Sequence, residues 1–276
     1  MSPYVQAGCT ATIVFAAAVY LRGWLHLHTA SATPIPLWRA ASFLLGLLAI
    51  WVAVASPVAI SDQRMLTAHM IQHLLLMTIA SPMIWLGSPV PAVWNGLPRL
   101  ARNVALPAIR QPVAAWIGRA MTRLAFCWMA AAAALVAWHV PAIFQLGMQS
   151  ERWHAIEQAS FLATGLLFWW PVIQPFPRES AELRWTILVY LFLATLPCDV
   201  LSGLLVFSDR VAYPVYLCTP QRAGFSALDD QQCAGAVMWT CVTVVYLAAG
   251  TILAIRLLSP RNDTRICNSA SAPPFS

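Results

Sequence analysis

The sequence predicts an all-α, polytopic membrane protein with seven transmembrane helices, its N-terminus outside and its C-terminus inside. Three observations carry that prediction. Of 276 residues, 60% are hydrophobic and only 9% charged, whereas a soluble domain needs about 25% charged residues to cover its surface. Seven stretches approach the roughly 20 apolar residues that a bilayer core requires: 4–21, 38–56, 66–86, 123–144, 153–173, 185–207 and 231–257. With the N-terminus outside, 12 of the 16 arginines fall on inner segments and 4 on outer ones, a strong positive-inside bias.

Taken in order, the first stretch is read as a span and not as a signal peptide, because no positive residue precedes it and Arg22 follows it. Ala16-Ala17-Ala18, its one cleavage-like feature, is discounted. The second and third spans enclose a short outer loop with Asp62 and Arg64. The connection 87–122 is rich in Pro and Arg (Pro89, Pro91, Pro98, Pro107, Pro112) and reads as a solvated inner loop or a short amphipathic helix meeting anionic lipid. Spans four to seven follow with short connections, the outer ones carrying Glu151, Asp209, Asp229 and Asp230. Residues 1–260 form one seven-helix domain, and the polar tail 261–276 reads as disordered on the cytoplasmic side.

Composition also excludes chemistries. There is no Lys, so Schiff-base chemistry with retinal, PLP or an aldolase-type substrate is ruled out. A net charge of +6 reflects loop topology, and no nucleic-acid partner is expected. The seven Cys show no CxxC spacing, hence no zinc ribbon or dithiol motif. Cys218 and Cys233 both fall near the outer face, although spacing alone does not pair them. No Walker or GxSxG motif is present.

Ionisable residues inside spans are costly and therefore point to function. His69 and His73 lie on span three, His139 near the end of span four, and His154 and Glu157 at the start of span five. The arginine-derived topology brings all five toward the outer face, each within ~12 Å of it at ~1.5 Å rise per residue. His69 and His73 are i,i+4 and share a helical face, Met65 extends the stripe one turn outward, and His154 and Glu157 are i,i+3. A thioether beside imidazoles suits a soft ion such as Cu(I) better than Mg or Ca. The blander readings are that each His bonds a neighbouring helix and that Met65, Met70 and Met77 fill gaps in the packing. His69-Met70-Ile71-Gln72-His73 lacks the Glu of HExxH. Elsewhere, His26-Leu27-His28 reads as a chance pair in a short inner loop, and Asp199 is an intramembrane acid beside Cys198 on span six.

The run from Ala68 to Leu76 (Ala-His-Met-Ile-Gln-His-Leu-Leu-Leu), with Pro82 and Leu86-Gly87-Ser88-Pro89, resembles the signature of the CtaG-type cytochrome c oxidase assembly factors. The resemblance continues at His139-Val140-Pro141, Phe168-Trp169-Trp170-Pro171, and Asp230-Gln231-Gln232 with Gly235, Met238 and Trp239, covering spans three to seven. It implies a multi-pass protein of the bacterial inner membrane that matures a haem–copper oxidase, with copper handed to the catalytic subunits. On this resemblance His69, His73, His139, Asp230 and Gln231 match the family's motifs. In the family the Glu of span five is often followed by His, whereas here Glu157 is followed by Gln158, so His154 or a Met would have to substitute. The expected function is a non-enzymatic assembly factor using a metal site of His69, His73, His139, His154, Glu157 and Met65. Copper, as Cu(I), is the expected ion, oxidase subunits and lipid the expected partners, with homo-oligomers left open. Two alternatives stand: a b-type haem or quinone-linked electron carrier with His73 and His139 as axial ligands, and a zinc-dependent intramembrane hydrolase. Asp229, Asp230 and Gln231 either touch metal, face a partner subunit, or cap span seven.

Overall fold

The computed structural model describes residues 3–30, 35–56, 61, 64–109, 111, 118, 123–173, 181–218 and 225–259. Asp62, Arg110, Pro112, Arg119, Arg178, Arg222, Arg261, Arg265, Cys267 and the expected tail 261–276 lie outside them, as do the side chains of Arg184 and Cys218. Among the described residues there is no strand. The helices run α1 (Pro3–Ala30), α2 (Leu37–Ala55), α3 (Leu66–Leu74), a π-helical stretch (Leu75–Ala80), α4 (Ser81–Leu86), α5 (Pro89–Gly96), α6 (Arg99–Ile109), α7 (Leu124–His139), α8 (Pro141–Gln149), α9 (Glu151–Ile173), α10 (Ala181–Phe207), a 3-10 turn (Pro214–Cys218) and α11 (Ala227–Leu258).

Among the described residues, five helical stretches are long and apolar enough to cross a bilayer: Tyr4–Thr29, Leu37–Ala55, Leu66–Leu86, Trp185–Phe207 and Ala227–Leu258. The count is six if the bent pair α7–α8 forms one span. The expected continuous span over 123–144 is therefore corrected: the chain turns by 77° between His139 and Pro141. Proline has no N–H to continue the ladder and forces the residue before it out of the helical region. Val140 accordingly sits at φ −66°, ψ 124°. The expected fifth span is α9, 23 residues long, about 34 Å at the α-helical rise. His154, Glu157, Gln158 and Ser160 dilute its apolar character, and it is not among the five. Helix α1 runs to Ala30, so His26 and His28 belong to its last turns and not to a loop. The 87–122 connection holds two helices in its described part, α5 packed against α1 and α6 exposing Leu100 and Val104.

The outer wall of the bundle is apolar, with Phe192, Leu196, Val244 and Leu247 exposed, as required where lipid takes the place of water. Among the described residues the packing falls into three clusters, the smallest made by Ala53, Leu76, Trp138 and Phe161. Tyr20, Trp24, Phe43, Leu47 and Ala92 join α1, α2 and α5. The main core gathers Met70, Cys127, Phe168, Trp169, Tyr190, Met238 and Tyr246 from α3, α7, α9, α10 and α11. Helices α3 and α9 meet beside the π-helical stretch, where a Cβ on Gly165 would stand 2.9 Å from the Met77 Cα. That stretch precedes Pro82, whose ring would crowd the carbonyl four residues back, and the widened turn makes room for it. The Met77 carbonyl instead accepts the Trp169 indole N–H at 3.0 Å.

Candidate metal centre

Helix α3 carries His69 and His73 one turn apart, their rings edge to face at 4.2 Å. Its start is held from another helix. Asp230, in the first turn of α11, accepts the Leu66 N–H at 2.6 Å, the Thr67 N–H at 3.2 Å and the Thr67 hydroxyl at 2.7 Å. A helix N-terminus leaves N–H groups without intrahelical partners and attracts negative charge, so this carboxylate closes α3 and fixes its rotation. Of the residues that could cap span seven, Asp229 is the cap, in a reciprocal capping box with Ser226 on α11, and the capping reading of Asp230 is corrected. Gln231 has a different task. It accepts the Ala212 N–H at 2.6 Å and donates to the Leu205 and Arg210 carbonyls at 3.3 and 3.1 Å, tying down the loop after α10. From that loop Tyr213 donates its hydroxyl to the His139 carbonyl at 3.0 Å.

Helix α9 places Glu157 between the two imidazoles. Its Oε1 lies 3.3 Å from His69 Nε2 and 3.4 Å from His73 Nε2, and one ligand atom from each of the three residues falls within 4.8 Å of the others. The acid missing from the HExxH-like run thus arrives from a different helix. All three are buried, His69 at 0%, Glu157 at 1% and His73 at 5% relative exposure. Among the described residues neither Glu157 oxygen and neither His73 nitrogen takes part in a hydrogen bond. A buried carboxylate in that state is costly unless a cation meets it. The spacing fits one: the edge of a tetrahedron with ligand bonds of about 2.0–2.1 Å is about 3.3–3.4 Å.

The remaining expected ligands stand around this core at different distances. The half-buried His154 stacks over His69 at 5.6 Å between ring centroids. Gln158, which occupies the position where the family often has His, lies 3.3 Å from His154 Nε2 and donates to Gln72 at 3.4 Å. His139 is 6.4 Å from His73 between ring centroids, and its Nδ1 is fixed on the Leu135 carbonyl at 2.7 Å. Its Nε2 has no hydrogen bond among the described residues. Met65 is corrected as part of a helical stripe: it is the N-cap of α3, with extended backbone angles. Helix α8, swung across by the bend at Val140-Pro141, closes the site. Phe144 stands edge to face on His69 at 4.9 Å, and a Cβ on Gly147 would come within 2.9 Å of Glu157 Oε2. Neither residue was legible as part of the site, nor were Gln72 and Tyr213. The Pro141 break was the one available signal, since it places the following nine residues across the helix ends. Cys233 is an exposed free thiol.

No curated protein and no solved structure matches this chain. The model of the cytochrome c oxidase caa3 assembly factor family (Caa3_CtaG) matches residues 18–259, most of its length, and the chain belongs to that family.

Proposed function

We propose that this protein serves oxidase assembly by binding copper at His69, His73 and Glu157, near the outer face of a bacterial inner membrane, and releasing it to the oxidase. The membership in an oxidase assembly factor family gives the destination. The observation that carries the chemistry is the pair of 3.3 and 3.4 Å approaches of buried imidazole nitrogens to one buried carboxylate oxygen. Three protein donors leave a fourth tetrahedral position for an incoming or departing ligand, as a carrier requires and a closed four-ligand site does not allow. His139 and His154 flank the group and supply such a ligand after small movements.

Seven crossings with the N-terminus outside remain the reading that suits this role. Helix α9 is long enough to be a crossing, and α7 with α8 supplies the bent one. The ends of α3, α7, α9, α10 and α11 that gather round the site then face outward, and the arginines of the opposite end face inward. Copper is cargo in this scheme, and no bond of a substrate is made or broken by the protein.

One observation favours a second reading. Two imidazoles and a carboxylate are also the donor set of catalytic zinc, which would make the site a hydrolase. An electron-carrying haem is less suited, because the cavity bordered by both His73 and His139 measures about 50 Å³, against the several hundred Å³ that a cofactor pocket occupies. The test is the metal content of detergent-purified protein beside His69→Ala/His73→Ala. Copper content that falls by about one equivalent in the variant supports the proposal. Zinc in that place supports the hydrolase, and a variant that inserts normally and sustains full oxidase activity overturns a metal role for this His/Glu group.

A further inference from the structure

Inward of the His/Glu group lies the cavity of about 50 Å³, bordered by Met70, Met77, Met238, Cys198, His73 and His139. We propose that this cavity is a second binding site, for a soft monovalent metal ion, in which the thioethers of Met70, Met77 and Met238 act with His139. Four sulfur-bearing side chains come to it from three parts of the fold: Met70 and Met77 from α3 and the π-helical stretch, Cys198 from α10, and Met238 from α11. Met70, Met238 and Cys198 are buried, at 1, 3 and 3% exposure.

Methionine recruited to fill a gap occupies it. Here three methionines border space left open, and that space exceeds the ~10–15 Å³ needed for a single water. The chemistry of the wall is selective. It contains no carboxylate, its oxygen-bearing side chains are the neutral hydroxyls of Thr78 and Tyr246, and it is otherwise mostly aliphatic and aromatic, so it lacks the anionic oxygens a hard cation prefers, whereas thioether, thiol and imidazole suit Cu(I). The imidazole is prepared for the task. The bond from His139 Nδ1 to the Leu135 carbonyl makes Nδ1 the donor, which leaves the lone pair on Nε2, and Nε2 has no hydrogen bond among the described residues. His139 also borders the groove between α8 and the end of α10, with Pro141, Leu204, Ala212 and Tyr213. It therefore stands on both the inner cavity and an outer-end opening. His73 borders the cavity too, which joins the two sites side by side.

What the ion is for rests on the copper-handling reading, but its binding does not. The experiment titrates the purified full-length protein with Cu(I), and separately with Ag(I), against a chromophoric chelator under reducing conditions, with X-ray absorption on the loaded wild type. Two equivalents are expected, with sulfur neighbours at one of them. Met70→Leu/Met238→Leu, which nearly preserves volume, should lose the sulfur-ligated equivalent or weaken it at least tenfold while keeping the other. His69→Ala should do the reverse. A single equivalent in the wild type without sulfur neighbours, or two equivalents that the methionine variant retains unchanged, overturns the second site and leaves the outer one standing. Loss of the sulfur-ligated equivalent in the methionine variant, with no effect of His69→Ala on the other, upholds the inner site and overturns the assignment of the outer one. The absorption spectrum of the wild type decides the question even if a variant folds poorly.

Discussion

At the scale of single residues, Glu157 converts two neighbouring imidazoles into a site. Removing its charge while keeping its shape, in Glu157→Gln, leaves His69 and His73 on the same helical face but without the anion 3.3–3.4 Å from their Nε2 atoms. Metal affinity in a competition titration should fall by at least about tenfold, the scale that even outer-shell substitutions reach, with the helical far-UV spectrum unchanged. Gly147 gives an independent check. A methyl group there would sit 2.9 Å from Glu157 Oε2, so Gly147→Ala should displace the carboxylate and lower metal affinity, with an overpacking cost of about 1–3 kcal/mol. Wild-type affinity in this variant would show that the α8 roof does not set the carboxylate's position. Among these residues the histidines and Glu157 were legible from the cost of placing ionisable groups in a span. Gly147 and Phe144 were not, because a small residue and an aromatic ring carry no such signal until their neighbours are known.

At the scale of elements, the His-bearing helix is held by two partners distant in sequence. Asp230 closes its N-terminus through Leu66 and Thr67, and Trp169 receives the Met77 carbonyl that the π-helical stretch turns outward. Asp230→Ala should destabilise the protein by about 1–2 kcal/mol, the usual size of a lost cap. It should also weaken metal binding, since the cap sets the rotation of His69 one turn further on. Thermal unfolding and metal titration of the same preparation check both outcomes, and a lost cap with undiminished metal affinity would show that the rotation of α3 is fixed elsewhere. Trp169→Phe preserves an aromatic ring but leaves the Met77 carbonyl without its donor; a loss of about 1–3 kcal/mol is expected, read as a lower Tm. Of the residues that could cap span seven, Asp229 does so with Ser226, whereas Asp230 turns to α3; two adjacent acids at a helix start do not say which of them turns back to its own helix.

For the whole molecule, the gathering of polar groups at one end of an otherwise apolar bundle is the main feature. With that end outside, a cysteine introduced at the exposed Asp209, in a variant whose native cysteines are replaced by serine or alanine, should react with a membrane-impermeant maleimide in intact spheroplasts. One introduced at the exposed Arg99 should react only after permeabilisation. The opposite pattern would invert the orientation and place the candidate metal centre on the cytoplasmic side. Labelling of both from the same side would break the alternation of crossings itself. The apolar outer surface of α10 and α11 fits lipid contact on either orientation, so it leaves this question to the labels.

The sequence by itself determined the all-helical, apolar class, the positions of most of the long apolar helices and the residues worth attention. Those properties follow from local quantities: the length of an apolar run, the sign of the charges at its ends and the cost of an imidazole or carboxylate within it. Tertiary structure decided the rest. It brought Glu157 from α9 between two histidines of α3, assigned Asp230 to a helix 163–164 residues away, and put Met65 at the N-cap of α3 in extended backbone. It also turned α8 across the helix ends. Each of these depends on the rotation and depth of one helix against another, which packing of the whole bundle sets and no spacing within a single helix encodes.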